Sequence, residues 1–336
     1  MGTRDERIDV LKGIGIICVI WAHLRGYFDV EIYIFHMPLF FFLSGMFFRR
    51  KKGFVLSRFR SLIIPFVLYT LAFAGIFYLQ GGNWLKPLHR ISLWFPSAIV
   101  GPAWFLIALF NISFIYYLLD CFIKKDWLLL ATAFAIGLVF YYWNIELPLD
   151  LRQSMYAMPF YALGRYLRQH GATNFTRNWK PLTASALMFA IAVAYCRLEH
   201  FRFDVLCKSL PANPLLFYGG ALSAIVLLLN VRFFARKNKV NAVLSSFGRH
   251  SLAIMAIHMP YMFFLRRQIF HQHWFHDMTT NTVATFFITF ILITAASYLL
   301  SVIIDHSSKY FRQELTKESS RLMHRLGGAH RNKPKG

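Results

Sequence analysis

Lys12 and His23 lie eleven residues apart in the first apolar segment of the chain. At about 100° per residue, eleven residues complete three helical turns plus about 20°, so both side chains project from one helix face, about 16 Å apart along the axis. Histidine, whose unperturbed pKa is about 6.5, can take a proton from a hydroxyl, and lysine can pair with a phosphate. The spacing predicts a site in which one elongated ligand contacts both residues.

Each of these residues also has a structural interpretation. An ionisable side chain inside a membrane helix costs at least about 2.5 kcal/mol to insert, which favours a functional role. His23 could instead bond to a neighbouring helix, and Lys12 could extend to the membrane interface. Asp9, three residues before Lys12 on the same face, either pairs with Lys12 or Arg7 or belongs to the site.

The composition indicates an integral membrane protein. Of the 336 residues, 57% are hydrophobic, 18% are aromatic and only 15% are charged, a profile that soluble domains do not show. A membrane helix needs roughly 20 apolar residues. We predict an all-α polytopic membrane helix bundle of about ten transmembrane helices, near residues 8–28, 32–48, 62–79, 103–122, 127–143, 153–168, 179–198, 214–231, 243–265 and 282–304.

The net charge of +22 follows the connections between these apolar segments. Most of the basic residues fall in alternate connections and in the tail, which is the pattern of cytoplasmic loops and predicts both termini in the cytoplasm. This placement argues against nucleic acid as a partner. The first segment lacks a small-residue cleavage pattern and is expected to remain as a helix. We predict a membrane domain at 1–306 and a basic cytoplasmic tail at 307–336.

Metal and disulfide chemistry are not expected. The four cysteines, Cys18, Cys121, Cys196 and Cys207, have neither metal nor disulfide spacing. His271, His273, His276 and Asp277 lie beside Trp274 and Phe275, a composition that better suits an interfacial loop than a metal site.

Three segments, RIDVLKGIGIICVIWAH, FHMPLFFFLSG and SRFRSLIIP, resemble the acyltransferase 3 family of membrane O-acyltransferases, which includes enzymes that acetylate bacterial surface polysaccharides. The family pattern begins with a basic residue, usually Arg, separated from a His by ten residues, and Lys12 and His23 match that spacing. Further matches are Pro38, Phe40, Phe41, Ser44, Gly45, Arg58, Arg60, Ser61, Pro65, Trp104, Ser251, Leu252, His258 and Pro260. The chain departs from the family in having Lys12 for the commoner Arg, and no Glu shortly after Trp104.

The resemblance implies the roles of the site residues. His23 is expected to act as base, or to form a covalent acyl-His, with Lys12 and Asp9 completing the catalytic group. Positive charge near the cytoplasmic surface is expected to bind the phosphates of acetyl-CoA or another acyl-CoA, which serves as co-substrate without a metal. The expected acyl-CoA residues are Lys12, Arg58, Arg60 and Ser61. The expected substrate-cavity residues are His36, Trp104, Arg152 and His258, with Arg152 on a short helix kinked at Pro159.

The implied function is membrane O-acyltransfer, most simply of acetyl, from cytosolic acyl-CoA to a hydroxyl of a cell-surface polysaccharide or lipid-linked glycan. The implied location is the bacterial inner (plasma) membrane, with lipids as neighbours and the oligomeric state left open. A secondary transporter or glycan exporter would also have many helices and intramembrane charges, although its usual paired internal repeats are not visible in the sequence. A membrane sensor or assembly partner with an inactive site is a third alternative.

Overall fold

The computed structural model describes residues 5–24, 27–79, 104–143, 147–171, 179–205, 209–231, 237–268 and 282–329. These residues form helices joined by short connections, and their one β-bridge pairs Asp204 with Ser209. The predicted all-α class is therefore confirmed.

Eleven α-helices lie within these ranges. In chain order they are α1 (Glu6–His23), α2 (Asp29–Gly45), α3 (Phe54–Arg58), α4 (Ile64–Leu79), α5 (Trp104–Phe122), α6 (Asp126–Tyr142), α7 (Leu151–Gln169), α8 (Trp179–Leu198), α9 (Pro214–Asn230), α10 (Lys239–Gln268) and α11 (Thr282–Ala329). A π-helical turn, Phe59–Ile63, joins α3 to α4, and a 3-10 turn, Pro148–Asp150, precedes α7.

Apolar helices give the protein the character of an integral membrane protein. Within the described ranges, four stretches are long and apolar enough to cross a membrane: Phe54–Ala72, Trp104–Phe122, Lys180–Leu198 and Val283–Ser307. Asp126–Tyr142 and Pro214–Asn230 are equally apolar but shorter. The count of ten crossings, the cytoplasmic placement of the termini and the domain boundary at residue 306 stay predictions.

The first two helices differ in detail from the predicted segments. α1 ends at His23, whereas the sequence predicted an apolar segment to residue 28. Phe28 has a left-handed φ of 65°, and α2 begins directly after it at Asp29. The indole N–H of Trp21 donates to the Tyr27 carbonyl across the intervening turn. His23 therefore lies at a helix end beside a turn.

Glycines allow the backbones of α1 and α10 to approach closely. A Cβ atom at Gly13 would collide with the Leu244 carbonyl, and one at Gly248 would collide with the Asp9 carbonyl. Small residues are the usual means by which membrane helices pack backbone to backbone. This contact fixes α10 along α1 and so determines which α10 side chains reach the His23 end.

α7 runs through the centre of the bundle. It is a 19-residue helix that continues through Pro159, so it is longer than the predicted 153–168 segment. Its buried residues include every position from 152 to 162. A Cβ at Gly164 would meet the Phe42 backbone, and one at Gly45 of α2 would meet the Tyr161 backbone. The C-terminal half of α7 is thus held backbone to backbone against the end of α2.

Ion pairs mark the end of the bundle opposite His23. Asp120 at the end of α5 pairs with Arg165 of α7 at 2.5 Å and with Arg50 at 3.5 Å. Arg165 also lies 3.9 Å from Asp126 at the start of α6 and over the ring of Phe48. Arg50, which belongs to the basic run that starts at residue 49, therefore contacts a buried carboxylate.

Candidate functional site

His23 of α1 and His258 of α10 are in direct contact. The His23 Nδ1 atom lies 2.8 Å from the Val19 carbonyl oxygen and 3.2 Å from His258 Nε2. The His258 Nδ1 atom lies 3.0 Å from the Ile254 carbonyl oxygen. His258, 1% exposed, is therefore fixed by its own helix and presents Nε2 to His23.

These contacts determine which ring nitrogens carry protons. A carbonyl oxygen only accepts, so Nδ1 of each histidine must donate its hydrogen. The Nε2 atom of neutral His258 then has a lone pair, which accepts from the same His23 N–H that faces Val19. The Nε2 atom of His23 is left with a lone pair of its own, which is the form that a general base requires.

His36 of α2 shares Tyr33 as an aromatic neighbour with His23. Its Nδ1–H donates to the Ile32 carbonyl at 2.9 Å. The Tyr33 ring centroid lies 4.9 Å from that of His36 and 6.4 Å from that of His23. Three helices, α1, α2 and α10, therefore bring together three of the histidines singled out in the sequence. In the part of the chain described, no group of three His, Cys, Asp or Glu could hold a metal ion, and the loop at 271–277 lies outside that part.

Charged residues that the sequence did not single out lie beside this cluster. Arg202 packs over the Tyr33 ring at 4.1 Å and pairs with Asp29 at 3.3 Å. Asp204 follows two residues after Arg202 and is half-exposed, as Arg202 is. Tyr33 could have been found from its position three residues before His36 on α2. Arg202 and Asp204 belong to a connection far along the chain, and only the fold brings them here.

Lys12 lies on the opposite half of α1. The Lys12 ammonium sits 4.7 Å from the centre of the Phe47 ring, just after α2. Asp9 is buried one turn earlier, at 4% exposure. The predicted catalytic residues therefore do not form one contact group. His23 is at one end of α1, and Asp9 and Lys12 are near the other, in the direction of the Asp120 ion pairs.

The predicted acyl-CoA residues of the third motif surround the π-helical turn. Arg58 is half-buried, packs on Phe54 at 5.3 Å and lies beside the buried Tyr161 hydroxyl. The Ser61 hydroxyl donates to the Arg58 carbonyl at 3.2 Å, and Arg60 is exposed. π-helical turns occur frequently at functional sites. The turn packs against α5, and Arg58 faces inward while Arg60 faces the surface.

The two remaining predicted cavity residues, Trp104 and Arg152, have partners on α2 and α6. Trp104 is 3% exposed and its ring lies 6.3 Å from that of Phe41. The Arg152 guanidinium donates to the Phe140 and Tyr141 carbonyls at 3.3 and 3.4 Å. The positive charge of Arg152 at the C-terminal carbonyls of α6 complements the dipole of that helix. Contact of either residue with a substrate stays a prediction.

Comparisons with known proteins give a family match. The family model described as "Acyltransferase domain" (Acyl_transf_3) matches residues 5–303, a range that includes all the motif residues named above. No solved structure matches the chain.

Two curated relatives are both called "Nodulation protein NolL". The chain is 29% identical over 222 residues to the protein of Mesorhizobium japonicum, which covers 58% of this chain and 56% of the relative. It is 32% identical over 191 residues to the protein of Sinorhizobium fredii, which covers 48% of each. The chain thus matches about half the length of these relatives.

Proposed function

The chain belongs to the acyltransferase 3 family of membrane proteins, and from that premise we propose that it transfers an acyl group, most simply acetyl, from cytosolic acyl-CoA to a hydroxyl of a surface polysaccharide or lipid-linked glycan. The observation that carries the proposal is the histidine pair, because acyl transfer to a hydroxyl needs a base at the acceptor oxygen. The proposed location is the bacterial inner membrane.

His23 acts as the general base in the proposed reaction. Its Nε2 takes the proton of the acceptor hydroxyl while the acceptor oxygen attacks the thioester carbonyl carbon. The new C–O ester bond forms as the C–S bond breaks, and the proton on His23 Nε2 passes to the departing CoA sulfur. His258 supports this step because its Nε2, 3.2 Å away, accepts the Nδ1–H of His23 and stabilises the transient imidazolium.

Basic residues at the other end of α1 bind the donor, acyl-CoA. Lys12 and Arg58, two of the expected acyl-CoA residues, are half-buried, and both belong to the end that carries the ion pairs. Phosphate groups of CoA bind there through charge-assisted contacts. The span of about 16 Å from Lys12 to His23 is bridged by the extended arm of the donor, which places the thioester near His23.

The test is the O-acyl content of the envelope glycan in cells that express the wild-type protein or His23→Ala. Loss of a general base lowers transfer by about 10² to 10⁴, so NMR of the isolated glycan should show acyl esters only with the wild type. His250→Ala is the matched control. His250 makes the same Nδ1 bond to a carbonyl of α10, Ser246 at 2.9 Å, but sits two turns from His258.

The outcome separates the alternatives. Retention of O-acyl esters in His23→Ala, at equal protein levels in the membrane, would remove His23 from the reaction. Equal O-acyl content in cells with and without the wild-type protein would contradict the proposed acceptor class.

A further inference from the structure

Residues 201–205, which follow α8, are fixed against the His23 end of the bundle. Phe203 is fully buried and packs on Phe217 of α9 at a ring separation of 6.2 Å. Asp204 and Ser209 exchange backbone hydrogen bonds of 2.8 and 3.0 Å. The Val205 carbonyl accepts the hydroxyl of Tyr156, a buried residue of α7. Residues 201–205 therefore hold a fixed position next to the candidate site.

Alternate residues of this segment face opposite directions. Phe203 and Val205 are buried, whereas Arg202 and Asp204 are half-exposed, which is the alternation of an extended chain. Arg202 reaches the Tyr33 ring at 4.1 Å, and Asp204, two residues further along the extended segment, faces the same way as Arg202. Both charged side chains thus lie on the face that borders the histidines.

A base and a donor site do not by themselves select an acceptor. His258 already accepts the Nδ1–H of His23, so the Asp204 carboxylate is not needed to orient the His23 ring. A carboxylate accepts hydrogen bonds from hydroxyls, and a guanidinium offers five donors in a planar fork. Side by side, they match the alternating donors and acceptors of neighbouring hydroxyls on a sugar ring.

We propose that Asp204 and Arg202, with Tyr33, form the acceptor subsite, which binds a sugar residue by two or more of its hydroxyls and directs one hydroxyl to His23. This inference rests on the proposed function and adds the residues that recognise the acceptor. Their removal is expected to weaken acceptor binding while the use of acyl-CoA is retained.

The experiment measures steady-state acyl transfer by the purified protein in lipid nanodiscs, where the donor and the acceptor can reach opposite faces of the membrane. The donor is acetyl-CoA, and the acceptor is the host's envelope glycan after mild alkali has removed its ester groups. Asp204→Asn and Arg202→Gln are each expected to raise the KM for the glycan about 10- to 100-fold, the range for lost hydrogen bonds to a charged group. The KM for acetyl-CoA and the kcat at saturating glycan should stay within about twofold of the wild type.

Glu31→Gln is the matched control. Glu31 pairs with Arg197 at 2.8 Å, so this variant also breaks an ion pair between α2 and the end of α8, yet it should leave the glycan KM unchanged. Arg202→Lys keeps the positive charge but loses the planar guanidinium donors. Its KM for the glycan is therefore expected to lie between those of the wild type and Arg202→Gln.

Three results would overturn the inference: an unchanged glycan KM in both variants, a fall in kcat alone, or an equal rise in glycan KM in Glu31→Gln. A fall in kcat alone would mean that the segment supports His23 instead of binding the acceptor. If the wild-type protein transfers no acyl group from any acyl-CoA, the proposed function itself is contradicted. That result is obtained with the wild-type protein alone and does not depend on the variants.

Discussion

At the scale of single residues, the direction of one N–H bond decides what His23 can do. Its Nδ1 atom has two acceptors, the Val19 carbonyl and His258 Nε2. Two acceptors for one hydrogen keep the proton on Nδ1 and keep the lone pair on Nε2. His258 is thus a positioning residue in the proposed reaction, where other histidine bases use a carboxylate.

Substitution of His258 tests this role. We expect His258→Ala to lower the kcat for acyl transfer about 10- to 100-fold, less than the loss of the base itself. His258→Gln should recover part of the rate, because its amide oxygen can accept the His23 N–H. The measurement is steady-state transfer by the purified protein in lipid nanodiscs with His250→Ala as control. A changed acetyl-CoA KM at constant kcat would contradict the positioning role.

Lys12 provides a second residue-scale prediction. Lys12→Gln removes the positive charge and is expected to raise the KM for acetyl-CoA about tenfold, in line with the loss of one charge-assisted contact. Lys12→Arg keeps the charge and should stay near the wild-type KM. The comparison is made at constant membrane levels, with kcat measured in parallel. If Lys12→Gln lowered kcat and left the KM unchanged, the residue would act at the chemical step.

At the scale of helices, the contact between α1 and α10 holds the two histidines together. The two helices pack through Gly13 and Gly248, where added Cβ atoms would collide with backbone carbonyls of the partner helix. Any change in this spacing also moves His258 relative to His23. Stability and activity are therefore coupled through these two glycines.

Gly13→Ala is expected to destabilise the protein by about 1–3 kcal/mol, the usual cost of overpacking, and to reduce transfer activity. The measurement is the midpoint of thermal unfolding in detergent. Gly75→Ala is the control, since a Cβ at that position would meet nothing within 4 Å. An unchanged midpoint in Gly13→Ala would show that the helices can separate without cost.

The ion pairs at the Lys12 end give another helix-scale prediction. The Asp120 and Arg165 side chains are 7% and 16% exposed, so Asp120→Asn leaves Arg165 without its nearest partner at a cost of about 3–5 kcal/mol. Asp126→Asn is the control, because that carboxylate lies 3.9 Å from Arg165 and is 28% exposed. Equal thermal midpoints for the two variants would contradict the assignment of Asp120 as the main partner.

At the scale of the whole molecule, the sequence predicted the helical class, the family and the three histidines that cluster in the fold, His23, His36 and His258. It did so because apolar runs and motif spacing are local features. It placed His23 inside a longer apolar segment, whereas α1 ends there, since the turn at Phe28 depends on a backbone conformation that the pattern does not reveal. Contacts such as Arg202 on Tyr33 join residues far apart in the chain and depend on the packing of several helices.

The bundle has a Lys12 end and a His23 end, and the difference in charge between them predicts how the molecule is oriented in the membrane. The Lys12 end carries the basic run that begins at residue 49, and positive charge favours the cytoplasmic side. Ser57 and Glu199 are exposed at opposite ends. In a variant without its native cysteines, Ser57→Cys should react with a membrane-impermeant maleimide only after the cells are opened, whereas Glu199→Cys should react in intact cells. The reverse pattern would place the donor end outside, where acyl-CoA is absent, and would contradict cytosolic supply of the acyl group.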